Sequence, residues 1–163
     1  MKHLWAPWRL AYVAGPKDDG CFLCEALASE NDRATLLVHR AELGFLILNR
    51  YPYNRGHLMA VPNRHVARLD ALTKEEADAL MHLTGLAVRA LEQMAGPQGF
   101  NIGMNLGRAA GAGIEAHLHL HVVPRWTADT NFMPVLGDVK VIPEDLETTY
   151  DHLAVALAAL RSA

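Results

Sequence analysis

The stretch Ala116-His117-Leu118-His119-Leu120-His121-Val122-Val123-Pro124-Arg125 places a histidine at every second position, with aliphatic residues between them. Because side chains alternate across a β-strand, this pattern predicts a strand over residues 117–124 with all three imidazoles on one face. The leucines and Val122 would lie on the other face and pack into a core. The sequence therefore predicts a strand with one face that packs into the core and one face whose histidines bind a ligand or take part in a reaction.

Three alternating imidazoles allow two kinds of chemistry. The first is metal binding, but the third histidine would lie roughly 13 Å along the strand from the first, too far to join one tetrahedral site easily. At most two of them would share an ion. The second is phosphoryl transfer, in which one imidazole attacks phosphorus and its neighbour hydrogen-bonds the charged oxygens. A surface strand with exposed histidines is the third interpretation, and it needs three uncommon residues to coincide.

The composition is that of one globular domain. The 163 residues are 51% hydrophobic and 20% charged, which is ordinary for a single core. A net charge of -3 argues against nucleic-acid binding through bulk positive charge. No apolar run approaches the 18 or so residues of a membrane span, and residues 1–9 lack a secretory apolar core. We expect a cytoplasmic protein with a small-molecule ligand and neither a nucleic-acid nor a membrane partner.

Apolar periodicity and turn signals predict an α+β fold with an antiparallel sheet of about five strands. The predicted strands cover residues 35–39, 44–49, 57–61, 100–105 and 117–124. Thr73 and Glu76 have capping-box spacing and Gly96-Pro97 marks a stop, so one long helix is expected between them. A short helix over 21–29 and a closing C-terminal helix over 143–161 complete a single domain spanning 1–163. This domain would carry an N-terminal arm over 1–20 and a C-terminal extension over 126–163.

The segment from His117 to Val123 fits a His-φ-His-φ-His-φ-φ motif, in which φ is aliphatic. It resembles the histidine triad family of nucleotide hydrolases and transferases. Residues 49–57 look like that family's segment with a ribose-binding polar residue and a supporting histidine. Segments 4–9 and 126–133 resemble a bacterial branch associated with diadenosine polyphosphate phosphorylases. The resemblance covers nearly all of residues 21–125 and implies a HIT-like fold and a homodimer.

Site residues follow from this resemblance one by one. His119 would be the nucleophile at the α-phosphorus of a nucleotide, and His121 would contact the phosphate. His57 would support the triad, Asn105 would contribute to the phosphate site, and Asn49 would hold ribose hydroxyls. Structural alternatives stay open, since Asn49 could begin a turn, Asn105 could cap a strand end and His57 could be a core histidine.

The glycine-rich loop over 107–113, which includes Gly111 and Gly113, offers backbone amides to a phosphate chain. Arg125 would either touch phosphate or end the strand in solvent. Hydrolase branches of the family commonly carry Gln followed by Ser or Thr four residues before the first histidine. Here Gly113-Ile114 stands instead, which favours phosphate over water as the acceptor, although Glu115 is an alternative polar group.

The expected reaction is phosphorolysis of diadenosine tetraphosphate to ADP and ATP through a covalent nucleotidyl-histidine, with inorganic phosphate as the second substrate. The alternatives are hydrolysis of dinucleoside polyphosphates or of mononucleotide adducts such as phosphoramidates, and a nucleotide-binding sensor with little turnover. No organic cofactor is expected.

Cys21 and Cys24 form a C-x-x-C pair, which in a cytoplasmic protein is redox-active, metal-binding or incidental. A charged turn precedes the pair, where a thioredoxin-like site would have a strand. Two thiolates need two further ligands to close a zinc tetrahedron, and His65 and a triad histidine are plausible donors. Zinc-bearing family members use such a set, and the resemblance implies a structural zinc on Cys21, Cys24, His65 and His117. Two unligated buried cysteines remain the alternative.

Overall fold

The structure, a computed structural model, describes residues 20–137 and 141–161, so the predicted arm lies outside it except for Gly20. The helices are α1 (Phe22–Ala28), α2 (Asp32–Thr35), α3 (Lys74–Ala95), α4 (Met133–Leu136) and α5 (Leu146–Arg161). The strands are β1 (Leu37–Arg40), β2 (Gly44–Leu48), β3 (Leu58–Pro62), β4 (Gly99–Met104) and β5 (Leu120–Arg125). Single 3₁₀ turns form at Leu69–Ala71 and Arg108–Ala110.

The five strands form one sheet in the order β1-β2-β3-β5-β4. Every neighbouring pair is antiparallel, which confirms the predicted α+β class and antiparallel sheet. Strand β5 lies between β3 and β4, so the strand that ends the histidine motif is interior to the sheet. It faces the start of β3, where Leu58 pairs with Val122 and Met59 with His121.

Helix α3 packs against β2, β3 and β5 and supplies one side of the core. Its buried positions include Leu80, Leu83, Ala87 and Leu91, the stripe expected of an amphipathic helix. The predicted capping box is present: Thr73 Oγ1 accepts from the Glu76 amide at 3.2 Å and Glu76 Oε2 accepts from the Thr73 amide at 2.9 Å. Among the described residues, no helix is both long and apolar enough to cross a membrane.

Helix α5 packs on α3 and β1 and begins at Leu146, later than the predicted residue 143. The Asp145 carboxylate accepts from the Thr148 amide at 2.7 Å, which satisfies a free amide of the first turn. The first strand also begins late, because residues 32–35 form α2. The Asn31 side chain caps that helix, and Leu36 turns out of it in the left-handed region at φ 64°.

Strand β5 begins at Leu120, three residues after its predicted start at 117. The Leu118 amide donates to the Val66 carbonyl at 2.6 Å, so the chain here is held by the segment after β3 and not by a ladder neighbour. His117 and His119 therefore precede the strand, and only His121 lies within it.

The loop between β2 and β3 closes onto α3 at Gly56. This residue has φ +76°, and a Cβ there would lie 2.7 Å from Leu91 Cδ2. Such a close approach in a left-handed conformation requires glycine. This contact between Gly56 and α3 positions His57 immediately before β3, beside β5.

Candidate active site and metal centre

The three histidines that were predicted to be catalytic form one cluster. His57 Nε2 lies 2.9 Å from His121 Nδ1, and the His119 and His121 rings meet edge to face with centroids 4.9 Å apart. His57 is fully buried and His119 is 7% exposed, whereas His121 is half-buried. The fold thus joins an imidazole from the start of β3 to two from the histidine motif.

Hydrogen bonds decide which nitrogen of each ring carries the proton. The Tyr53 amide donates to His57 Nδ1 at 3.1 Å, so neutral His57 carries its proton on Nε2. That proton is donated to His121 Nδ1, which leaves the His121 proton on Nε2. We call this chain of hydrogen bonds from Tyr53 through His57 to His121 the relay. It makes His121 Nε2 a hydrogen-bond donor.

His119 has the opposite arrangement. Its Nδ1 lies 2.9 Å from the His117 carbonyl oxygen, and because a carbonyl only accepts, Nδ1 must carry the proton. The lone pair is therefore on Nε2. An imidazole held in this tautomer is a competent nucleophile at neutral pH.

Burial keeps all three rings neutral. It lowers the pKa of His57 to about 3, with further contributions from His121 and His119. Burial and then His119 lower the pKa of His121 to about 4. Burial also lowers the pKa of His119, although its bond to the His117 carbonyl opposes the shift. The three rings therefore stay neutral, and keep one donor and one acceptor nitrogen each, across the neutral pH range.

A second cluster lies at the end of the sheet where the histidine motif begins. The ligand atoms of Cys21, Cys24, His65 and His117 all lie within 4.8 Å of one another. His117 Nδ1 is 3.3 Å from Cys21 Sγ, and His65 Nδ1 is 3.2 Å from Cys24 Sγ. In a zinc tetrahedron sulfur and nitrogen ligands lie about 3.6 Å apart, as follows from the two bond lengths.

The tautomer of His117 also suits a metal. Its Nε2 donates to the Pro62 carbonyl at 2.9 Å, so its lone pair is on Nδ1, the nitrogen that faces both sulfurs. Burial, together with the Cys21 thiol, raises the pKa of the Cys24 thiol, so a cation that binds here must displace its proton. These residues could hold a metal ion.

The remaining predicted residues are more dispersed. The Asn49 amide donates to the His57 carbonyl at 2.9 Å, and its side chain accepts from the Tyr51 amide at 2.9 Å, so Asn49 does begin a turn. Asn105 is half-buried just beyond β4. The loop between β4 and β5 contains Gly111, at φ +84°, and Gly113.

Arg125 lies at the far end of β5 and already has partners. Its Nε lies 2.6 Å from Asp129 Oδ2 and its Nη1 lies 2.5 Å from Asn101 Oδ1. The Arg125 guanidinium at the end of β5 is therefore held by an ion pair with Asp129 and a hydrogen bond to Asn101.

Several polar residues that the sequence did not point to lie in the loop before His57 or bind that loop. They are Tyr53, Asn54 and Arg55 in the loop before His57, and Asp129 and Glu144 after β5. The polar composition of the loop before His57 was the only sequence signal for these residues. It does not indicate which distant carboxylates contact the loop.

Comparisons with known proteins agree with this geometry. A HIT domain model matches residues 30–128. The AP-4-A phosphorylase of Mycobacterium tuberculosis is 41% identical over 97% of this chain and 85% of that protein. The asymmetrical bis(5'-nucleosyl)-tetraphosphatase of Schizosaccharomyces pombe is 32% identical over 56% of this chain and 50% of that protein. A zinc-bound histidine triad family protein from Mycobacterium smegmatis superposes with a TM-score of 0.70 at 27% identity, covering 88% of this chain and 96% of that one.

Proposed function

This chain belongs to the HIT domain family, and from that premise we propose that it cleaves dinucleoside polyphosphates, converting diadenosine tetraphosphate and phosphate to ADP and ATP. It is a HIT nucleotidyltransferase or hydrolase. The observation that carries the proposal is His119, a buried neutral imidazole whose Nδ1 is bonded to the His117 carbonyl. Its Nε2 is the nucleophile.

The proposed reaction has two displacements at one phosphorus. His119 Nε2 attacks the α-phosphorus, the bond to the polyphosphate chain breaks, and ATP leaves. The imidazole becomes a cation, and its Nδ1 proton remains bonded to the His117 carbonyl. A phosphate oxygen then attacks the same phosphorus, the phosphorus–nitrogen bond breaks, and ADP and neutral His119 form. Two inversions give net retention at phosphorus.

His121 supports both steps without forming a covalent bond. Its Nε2 proton, set by the relay from Tyr53 through His57, is donated to a non-bridging oxygen of the reacting phosphate. A preorganised donor of this kind stabilises the charge that develops in the transition state. The backbone of the loop with Gly111 and Gly113, together with Asn105, would contact the phosphate chain, and Asn49 would hold a ribose hydroxyl.

Phosphate as the acceptor is favoured by two observations. Gly113-Ile114 stands where hydrolase branches carry Gln and a hydroxyl residue, and the mycobacterial relative is named a phosphorylase. The rival is hydrolysis to AMP and ATP, which the fission-yeast tetraphosphatase relative supports. The fully formed relay argues against a sensor with little turnover.

Incubation with diadenosine tetraphosphate, with and without inorganic phosphate, separates these activities by their products. Phosphate-dependent ADP and ATP support phosphorolysis, whereas AMP and ATP in either buffer support hydrolysis. Alkaline quenching preserves a phosphorus–nitrogen bond, so peptide mass spectrometry should locate a nucleotidyl group on His119. Full activity in His119→Ala would overturn the mechanism.

We further propose that Cys21, Cys24, His65 and His117 hold a structural zinc. A closed four-ligand zinc supplies a cross-link, here between the start of α1, the segment after β3 and the segment before β5. His117 would then be fixed from both ring nitrogens, and with it the carbonyl that sets the tautomer of His119.

Elemental analysis of the purified protein tests the zinc proposal. One zinc per chain is expected for the parent and for His82→Ala, which changes an exposed histidine on α3. Cys21→Ser should lose most of it. A Cys21→Ser variant that retains zinc through dialysis as tightly as the parent would contradict the ligand set.

We also propose that residues 1–163 form one domain that assembles as a homodimer. Strand β4 is an edge of the sheet and its residues Asn101, Ile102 and Gly103 are exposed, so a second copy could pair there. Analytical ultracentrifugation should give twice the chain mass, and Ile102→Lys should shift the protein to monomer.

A further inference from the structure

Residues outside the histidine cluster hold the loop that sets its tautomers. Tyr53 donates its amide to His57, and the two residues that follow it, Asn54 and Arg55, are each bound by a carboxylate from beyond β5. We call Asp129 and Glu144, together with these two partners, the loop clamp. Asp129 and Glu144 both lie beyond the part of the chain that matches the HIT domain model.

The first contact is made by Asp129. Its Oδ2 accepts from Asn54 Nδ2 at 2.8 Å, and the same amide group donates to the Pro124 carbonyl at 3.0 Å. Asn54 is 6% exposed and the Asp129 side chain is 7% exposed. Arg125 also binds Asp129 through two nitrogens. The Asp129 carboxylate therefore links the loop that contains Asn54 to Arg125 at the end of β5.

The second contact is made by Glu144. Arg55 donates through Nε to Oε2 at 2.8 Å and through Nη2 to Oε1 at 2.9 Å, a bidentate pair of fixed geometry. Thr149 Oγ1 donates to Oε2 at 2.7 Å, and His152 Nδ1 lies 3.1 Å from Oε1. Both of these partners lie on α5, which packs on α3 and β1. The loop is thereby tied to the closing helix.

We propose that Asp129 and Glu144 are positioning residues that, by holding Asn54 and Arg55, keep the Tyr53 amide on His57 and so keep His121 in its donor tautomer. The consequence for catalysis rests on the function proposed above. The tautomers themselves are a property of the protein without substrate.

A shift of the loop would change the position of the proton on each ring between Tyr53 and His121. If the loop moves by about 1 Å, the 3.1 Å bond from Tyr53 to His57 exceeds hydrogen-bond range. His57 is then free to carry its proton on Nδ1, and its Nε2 becomes an acceptor. His121 must donate from Nδ1, so its Nε2 loses the proton that faces the phosphate. Because negative charge on the reacting phosphate grows in the transition state, loss of this donor should lower kcat more than it weakens nucleotide binding.

The variants Glu144→Gln and Asp129→Asn test the clamp, because each keeps the side-chain shape and removes the charge. The matched control is Glu147→Gln on α5, whose side chain is 82% exposed and lies 3.9 Å from Arg33. For each clamp variant we expect kcat to fall by about 10- to 100-fold, with KM changed by less than about threefold. The control should keep the parent kcat and KM.

Long-range ¹H–¹⁵N correlation spectra of the histidine rings give a readout that does not need substrate. The parent should show His57 only as the Nε2–H tautomer, and Glu144→Gln should show a mixture. An unchanged kcat, or a reduced kcat with His57 still entirely Nε2–H, overturns the proposal. Should either charge-removing variant unfold, Thr149→Val removes only the hydroxyl that orients Glu144 and is judged by the same two measurements.

The two proposals fail in different ways. If the parent does not cleave diadenosine tetraphosphate, the proposed function is wrong, and the ring spectra still decide whether the clamp sets the tautomer. If the parent is active and the spectra of the clamp variants match those of the parent, only the clamp is wrong.

Discussion

Lowering the pH from 7.5 to 5.0 should destabilise the fold by about 2 kcal/mol through His57 alone. The buried ring has a pKa of about 3, against about 6.5 for a free histidine. Below pH 6.5 His57 of the unfolded chain binds a proton, whereas His57 of the native protein stays neutral until the pH approaches about 3. Each pH unit between 6.5 and 5.0 therefore costs about 1.36 kcal/mol.

The sign follows from the depressed native pKa. The stability contributed by neutral His57 is complete above pH 6.5, declines as the pH falls, and is fully lost near its native pKa of about 3. His121, with a pKa of about 4, adds a loss of similar size by pH 5.0.

Urea unfolding at 25 °C, followed by circular dichroism at both pH values, measures this loss. EDTA in all samples keeps metal release out of the comparison. The informative variant is His57→Gln, which retains a donor for His121 but does not titrate. It should lose about 2 kcal/mol less than the parent on acidification. His82→Gln on the exposed side of α3 should behave as the parent does, and an equal pH dependence of His57→Gln and the parent would refute the argument.

Three further predictions concern the elements that position the cluster. Thr73→Ala removes the capping box of α3 and should cost about 1 kcal/mol in urea unfolding, with kcat unchanged. Leu91→Ala opens a cavity at a fully buried position and should cost about 2–5 kcal/mol by the same measurement. Gly56→Ala forces a Cβ against Leu91 at φ +76° and should cost about 1–3 kcal/mol, and a melting temperature equal to that of the parent would show that the loop is not tightly held there.

The sequence by itself determined the features that arise from nearby residues. The capping box, the apolar stripe of α3 and the alternating histidines all depend on spacings of a few positions, which secondary structure converts directly into shared faces. The class of the fold followed from such patterns, whereas the expectation that His57 lies near the motif came from the resemblance to the histidine triad family. The start of β5 did not follow from such patterns, since the Leu118 amide binds Val66 from outside the motif.

Only the tertiary structure decided which ring nitrogen of each histidine carries the proton. Spacing makes the three imidazoles of the motif equivalent, but the Pro62 carbonyl, the His117 carbonyl and the Tyr53 amide assign their protons differently. The loop clamp depends on contacts between residues 75 and 89 positions apart. A hydrogen bond acts over about 3 Å in space regardless of separation along the chain, so such contacts leave no periodic signal in the sequence.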